Sequence, residues 1–154
     1  MQQNGITVLS LFDGMSCGQT ALQRAGIKYD NYFASEIKKH AIKVTQHNYP
    51  NTIQVGDITQ LFKGCLPKID LLIGGSPCQD FSQANKERKG LKGEKSSLFF
   101  EYVRLLKELK PKYFLLENVS MDDYRYQFTS ETLGTDPVNI NSELVSGQLR
   151  QRSY

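Results

Sequence analysis

The chain carries only three cysteines, at positions 17, 65 and 78, and no two of them stand at Cys-x-x-Cys spacing. An odd, scattered set argues against a disulfide framework and against a cysteine zinc site, and for a reducing compartment. Also missing is any apolar run near the roughly 18 to 20 residues that span a bilayer. Met1 to Gly5 is short, polar and without a basic stretch, so no secretory leader is expected ahead of Ile6. No internal repeat, low-complexity tract or interdomain linker interrupts the 154 residues, a length that suits one domain with one core. What is there is ordinary for a soluble globular protein: 39% apolar and 23% charged residues. The net charge of +3 permits a nucleic-acid partner without selecting one.

Apolar patterning predicts strands at Ile6–Leu11, Tyr32–Ser35, Thr52–Val55, Ile69–Ile73 and Lys112–Leu116. Between them, helices are expected over Gly18–Ala25, stopped by Gly26, and over Lys38–Asn48, closed by Pro50. Leu98, Phe99, Tyr102, Val103, Leu106 and Leu109 recur at three- and four-residue steps, the apolar face of a long helix that ends before Pro111. Strands alternating with helices imply an α/β fold, a mostly parallel Rossmann-like sheet with helices on both faces. Met121 to Glu143 is less regular. Val138–Ile140 is a candidate sixth strand, and Leu149–Tyr154 opens a further element that the chain leaves unfinished. The expectation is therefore a fold incomplete at its C-terminus: a fragment, or a protein completed by a second chain.

The segment Ser76-Pro77-Cys78-Gln79 follows the fourth strand through Gly74 and Gly75. Pro77 fixes its own φ and restricts Ser76, so a stiff backbone aims the thiol of Cys78. In an open α/β sheet, chemistry gathers at the C-terminal ends of strands. A buried, inert cysteine is the alternative. Phe12-Asp13-Gly14-Met15-Ser16-Cys17-Gly18 joins the first strand to the first helix, but its Gly-x-x-x-Gly spacing is not the dinucleotide fingerprint. Glu36 follows the second strand, where an acid can bind ribose hydroxyls, and Asp57 follows the third, where it can accept from an adenine amino group. Either acid alone reads equally as a helix cap. In sequence they fit an adenosine-containing ligand without phosphate at the ribose end, such as S-adenosylmethionine. Lys86, Arg88, Lys89, Lys92 and Lys95 cluster within or just beyond the polar segment Phe81–Gly93, either a solvated loop or a phosphate contact.

Leu11-Phe12-Asp13-Gly14, Ser35-Glu36-Ile37, Gly56-Asp57-Ile58, Gly74-Gly75-Ser76-Pro77-Cys78-Gln79-Asp80-Phe81-Ser82, Leu116-Glu117-Asn118-Val119 and Gln148-Leu149-Arg150-Gln151-Arg152 occur in this order. Together they resemble the DNA (cytosine-5) methyltransferases, and the Phe-Asp-Gly, Gly-Gly-Ser-Pro-Cys and Ser-Leu-Phe-Phe-Glu forms look most like the animal de novo subgroup. The resemblance implies a class I S-adenosylmethionine-dependent methyltransferase, with residues 1–154 a partial catalytic and cofactor-binding domain. It implies a cofactor pocket at Phe12, Asp13, Gly14, Met15, Gly18 and Glu36, continued by Ile37 against the adenine and by Asp57, Ile58, Ser76 and Pro77. No metal is implied.

On the same resemblance, Cys78 attacks C6 of a cytosine flipped out of double-stranded DNA. Glu117 protonates N3, which calls for a raised pKa or a shared proton. Arg152 holds the base carbonyl, Arg150 stands beside the nucleophile, and Asn118 supports the site. Phe81–Gly93 is a candidate lid. Alternatives remain: Glu117 as a cap, and Arg150 and Arg152 as an exposed ion-pair row. His40 and His47 are expected to be surface groups, and Cys17 and Cys65 structural. The whole chain could also be a non-catalytic binding module, or an RNA cytosine-5 methyltransferase. The location implied is intracellular, nucleoid-associated or nuclear. The family's target-recognition region and final segment have no counterpart in the sequence, and no family segment was identified for Met121–Gly134.

Overall fold

The computed structural model describes residues 5–77, 96–119 and 123–154. Ile6–Leu11 forms β1, and its residues Val8, Leu9 and Leu11 are all fully buried. Successive strand residues face opposite sides, so burial of both Val8 and Leu9 means that both faces of β1 are covered. β2 (Tyr29–Ser35) runs parallel to β1 from Ile6↔Tyr29 to Leu11↔Ser35. It starts three residues before the expected Tyr32, because pairing with the whole of β1 recruits polar Asp30 and Asn31 into the sheet. β3 (Ile53–Gln54) is shorter than expected and pairs only with Phe33 and Ala34. β4 (Leu71–Gly74) lies parallel on the other side of β1, and β5 (Tyr113–Leu116) completes a five-stranded sheet of order β3-β2-β1-β4-β5.

Helix α1 (Cys17–Arg24) ends where Gly26, at φ +68°, supplies a left-handed residue. Gly26 N–H bonds Gln23 O at 3.1 Å and Ile27 N–H bonds Leu22 O at 3.0 Å, the two bonds of a Schellman cap. Leu22 of α1 joins Val8, Tyr32, Ala34 and Ile73 in one core cluster. α2 (Lys39–Asn48) buries Ala41 and Thr45 and stops two residues before Pro50. α3 (Ser96–Leu109) buries Phe99, Tyr102, Val103 and Leu105. Leu105 is therefore a core residue that the spacing did not single out, while Leu106 and Leu109 are half-buried.

The chain divides into two units, one formed by Met1–Gly75 and Arg104–Leu115, the other by Ser76–Val103 and Leu116–Tyr154. The second unit holds a small antiparallel sheet of order β6-β8-β7, made by β6 (Asn118–Val119), β7 (Asn139–Asn141) and β8 (Gln151–Ser153). β6 was not anticipated. β8 is paired to its end, since Tyr154 N–H bonds Val138 O at 2.9 Å and Val138 N–H bonds Tyr154 O at 2.8 Å. The irregular stretch contains helix α4 (Asp123–Leu133), whose only fully buried residue is Thr129. Its Phe128 packs at a tilt against Phe99 and edge-on against Phe100, with ring centroids 6.1 and 6.2 Å apart. A helix that buries so little of itself leaves no 3.6-residue apolar signal in the sequence. No described helix is long and apolar enough to cross a membrane.

Candidate active site

Strand order reverses at β1, which has β2 on one side and β4 on the other. In open α/β sheets, ligands bind at the C-terminal ends of the strands at such a reversal. The loop that leaves β1 there is strained. Phe12 and Ser16 sit at φ +56° and +61°, left-handed values that cost a non-glycine residue roughly 1–2 kcal/mol, whereas Gly14 holds φ +61° freely.

The loop is bonded inward. Asp13 N–H bonds Ser35 O at 3.1 Å, and Gly14 N–H donates to Glu36 Oε2 at 2.9 Å. Asp13 accepts the Ser16 hydroxyl on Oδ2 and the Tyr32 hydroxyl on Oδ1, the latter at 2.8 Å. Gln19, 2% exposed, donates to Ser16 Oγ and Thr52 Oγ1 and accepts the Tyr29 hydroxyl. Asp13 thus organises its own loop. Gly18 is a packing residue, because an added Cβ would stand 2.5 Å from Ile73 Cδ1 and 2.7 Å from the Tyr32 hydroxyl.

Glu36 also accepts from the N–H groups of Ile37 and Lys38, both at 2.9 Å, so backbone donors aim its carboxylate. Ile37 is 68% exposed and Met15 58% exposed, apolar side chains left on the surface beside a bonded acid and a strained loop. Asp57 caps a short 3₁₀ turn, its Oδ1 accepting from Thr59 N–H and Oγ1 at 2.9 Å each. Arg104 holds the same turn, donating to Ile58 O at 3.3 Å and Leu61 O at 2.9 Å. The Ile58 side chain is 4% exposed and belongs to the core. Two carboxylates on adjacent strand ends, with an exposed isoleucine after the first, suit hydroxyls and a flat aminopurine and repel a phosphate. That set of acceptors fits S-adenosylmethionine.

Glu117 immediately precedes β6. The antiparallel ladder pairs Asn118 with Ser153 and Val119 with Arg152. It brings Arg152 Nε to 2.9 Å from Glu117 Oε1, with Arg150 Nη2 at 3.8 Å from the same oxygen. Arg152 Nη1 also donates to Gln151 O at 2.7 Å. Asn118, 4% exposed, accepts from Val119 N–H at 2.8 Å through Oδ1. Glu117 is therefore not a helix cap. Only the two arginines' shared contact with it matches the expected row, since Arg150 lies outside β8. Ser76 is 5% exposed, and its hydroxyl has no hydrogen-bond partner among the described residues. Pro77 is half-buried. Cys78 and the basic segment Phe81–Gly93 with Lys95 lie outside the described residues. Cys17 and Cys65 are both exposed, which corrects the expectation for Cys17; Cys65 donates to Phe62 O at 2.9 Å within its turn. His40 and His47 are exposed.

Reading along the sequence missed Tyr32, Ser16, Gln19 and Arg104. The first three are polar groups at inward positions, and the two-residue alternation of β2 would have flagged Tyr32 as facing α1. Nothing local marks Arg104 except Glu108 four residues on, its partner at 3.0 Å.

A family model for C-5 cytosine-specific DNA methylase matches residues 6–122. The orphan methyltransferase M.SPRI of Bacillus phage SPR is 44% identical over 116 residues, 74% of this chain and 26% of that protein. The type II methyltransferase M.NgoBV of Neisseria gonorrhoeae is 42% identical over 123 residues, 77% of this chain and 28% of that protein. The chain thus spans about a quarter of the length of these relatives. The crystal structure of the S. pombe Dnmt2 methyltransferase superposes with a TM-score of 0.73 at 19% identity, over 96% of this chain and 47% of that one, and shows a shared fold. The curated relatives named above are phage and bacterial proteins, and nearness to the animal de novo subgroup rests on the motifs alone. A match over most of its length, supported by relatives above 40% identity, makes this chain a member of the C-5 cytosine-specific DNA methylase family.

Proposed function

We propose that the chain is the catalytic and cofactor-binding portion of a DNA cytosine-5 methyltransferase, acting on a cytosine flipped out of duplex DNA through a covalent Cys78 adduct. The observation that carries this reading is Glu117, a carboxyl group held through Oε1 by Arg152 at 2.9 Å with Arg150 at 3.8 Å, which leaves Oε2 to carry the proton. An acid fixed this way has a defined direction, which proton delivery to a ring nitrogen requires.

S-adenosylmethionine, when bound, supplies the electrophilic methyl group. The Cys78 thiolate adds to C6 while Glu117 gives its proton to N3, so electron density moves to C5. C5 would take that methyl as its bond to the sulfonium sulfur breaks, leaving S-adenosylhomocysteine. Loss of the C5 proton to a base then re-forms the 5,6 double bond, expels the thiolate, and returns the N3 proton to Glu117. Arg152 and Arg150 keep Glu117 oriented, and the remaining guanidinium donors of Arg152 are available to the base carbonyl. Phe12, Ile37 and Met15 offer apolar surface to the cofactor, with Glu36 and Asp57 as acceptors. The basic segment from Lys86 to Lys95 contacts phosphates, which makes binding salt-dependent.

The chain spans about a quarter of the length of these relatives, and base flipping costs a few kcal/mol that contacts around the duplex must offset. Methyl transfer from labelled cofactor to cytosine-rich duplex DNA tests the proposal. The 154-residue chain is expected to turn over poorly, a version extended through a family recognition region to be active, and Cys78→Ser in that version to be inactive. Undiminished transfer after Cys78→Ser would refute the mechanism.

A further inference from the structure

The strained loop after β1 needs something to hold it, and the residue that does so lies on a different strand. Tyr32 is 2% exposed in the middle of β2, with its ring in the core cluster beside Val8, Leu22 and Ile73. Its hydroxyl extends past the start of α1 and donates to Asp13 Oδ1 at 2.8 Å. The same carboxylate takes the Ser16 hydroxyl on its other oxygen. One acid therefore ties together the two ends of a segment in which Phe12, Gly14 and Ser16 all have positive φ. Left-handed backbone at non-glycine residues persists only where its surroundings over-determine it.

Gly18 is the second half of the device. A Cβ there would stand 2.7 Å from the Tyr32 hydroxyl, so the last glycine of the Gly-x-x-x-Gly spacing clears a passage for the tyrosine. The hydroxyl stays protonated and donating, because burial, and then the charge of Asp13, push its pKa far above the ordinary tyrosine value.

We infer that Tyr32 is a positioning residue for the cofactor loop, a buried strut that acts through Asp13 to hold Phe12 and Met15 in their receiving conformation. The inference rests on the proposal that this loop receives S-adenosylmethionine. It predicts that Tyr32 matters to ligand affinity through the loop rather than through core packing.

Calorimetric titration of the 154-residue chain with S-adenosylhomocysteine, alongside ligand-free unfolding midpoints, tests it. Tyr32→Phe, which removes one oxygen, should weaken binding about tenfold, at the low end for a hydrogen bond to a charged group. Asp13→Ala should weaken it by a similar factor, and the double variant no further than Asp13→Ala alone. Asp13→Asn keeps an acceptor for Tyr32 and a partner for Ser16, so it should recover most of the affinity that Asp13→Ala loses. Tyr102→Phe removes another buried hydroxyl, one with no partner among the described residues, and should leave affinity unchanged. A parent chain that folds but does not bind would overturn the cofactor reading and this inference together. A parent that binds, with Asp13→Ala or a folded Tyr32→Phe binding equally well, would overturn the strut alone. So would additive losses in the double variant, or a loss in Asp13→Asn as large as in Asp13→Ala. Should Tyr32→Phe not fold, the two Asp13 variants decide.

Discussion

The two units hold their carboxylates by different means. In the first, Glu36 is aimed by three backbone N–H groups and Asp57 by a turn of its own making. In the second, Glu117 is aimed by the side chains of Arg152, in β8, and of Arg150, just before it, some 35 residues away in sequence. The first unit has a sheet whose central strand is fully buried at Val8, Leu9 and Leu11. The second has strands of two and three residues, and leaves Leu144, Val145 and Leu149 at least 71% exposed. Backbone donors on a buried scaffold come with the fold. Side-chain clamps on a short ladder exist only when that ladder is made, so the first unit is the more self-sufficient of the two.

The comparison breaks first at Glu117. Glu117→Gln should lower methyl transfer by the extended enzyme by about 10²–10⁴-fold, the usual range for a general acid, and leave S-adenosylhomocysteine affinity unchanged. A matching loss of cofactor affinity would mean that the division of labour is wrong. Stability comes next. Leu9→Ala should destabilise by about 2–5 kcal/mol, and Leu149→Ala by no more than about 0.5 kcal/mol, in urea unfolding followed by circular dichroism. Equal costs would show that the second unit is as firmly built as the first.

Glu36→Ala should weaken S-adenosylhomocysteine binding by about 1.5–3 kcal/mol, as for a lost charged hydrogen bond. No change by calorimetry would reduce Glu36 to a loop brace. The smallest expected effect separates the two clamps. Arg152→Lys cannot keep the Nε contact at 2.9 Å, while Arg150, at 3.8 Å and half exposed, contributes little. Arg152→Lys should therefore reduce turnover more than Arg150→Lys, and the reverse order would make Arg150 the principal partner.

Much of the fold was legible in the sequence. The runs at Ile6–Leu11 and Tyr113–Leu116 lie where apolar content alone puts strands, and Gly26 ends α1 as a glycine stop should. The acids at 36 and 57 stand at strand ends as their spacing implies. Less legible was the second unit, where α4 buries only Thr129 and β6 spans two residues.

By itself, then, the sequence determined the alternation of strands and helices, the family, and the order of the site segments. These depend on periodicity and short motifs, which act over a few residues. Only the tertiary structure decided what each polar group bonds. It decided that Asp13 braces its loop through Tyr32, that Gly18 makes room for that tyrosine, and that Glu117 is held by Arg152. Those choices are made by strand pairing and packing between residues far apart in the chain, and each donor has several acceptors of the right type until the backbone brings one within 3 Å.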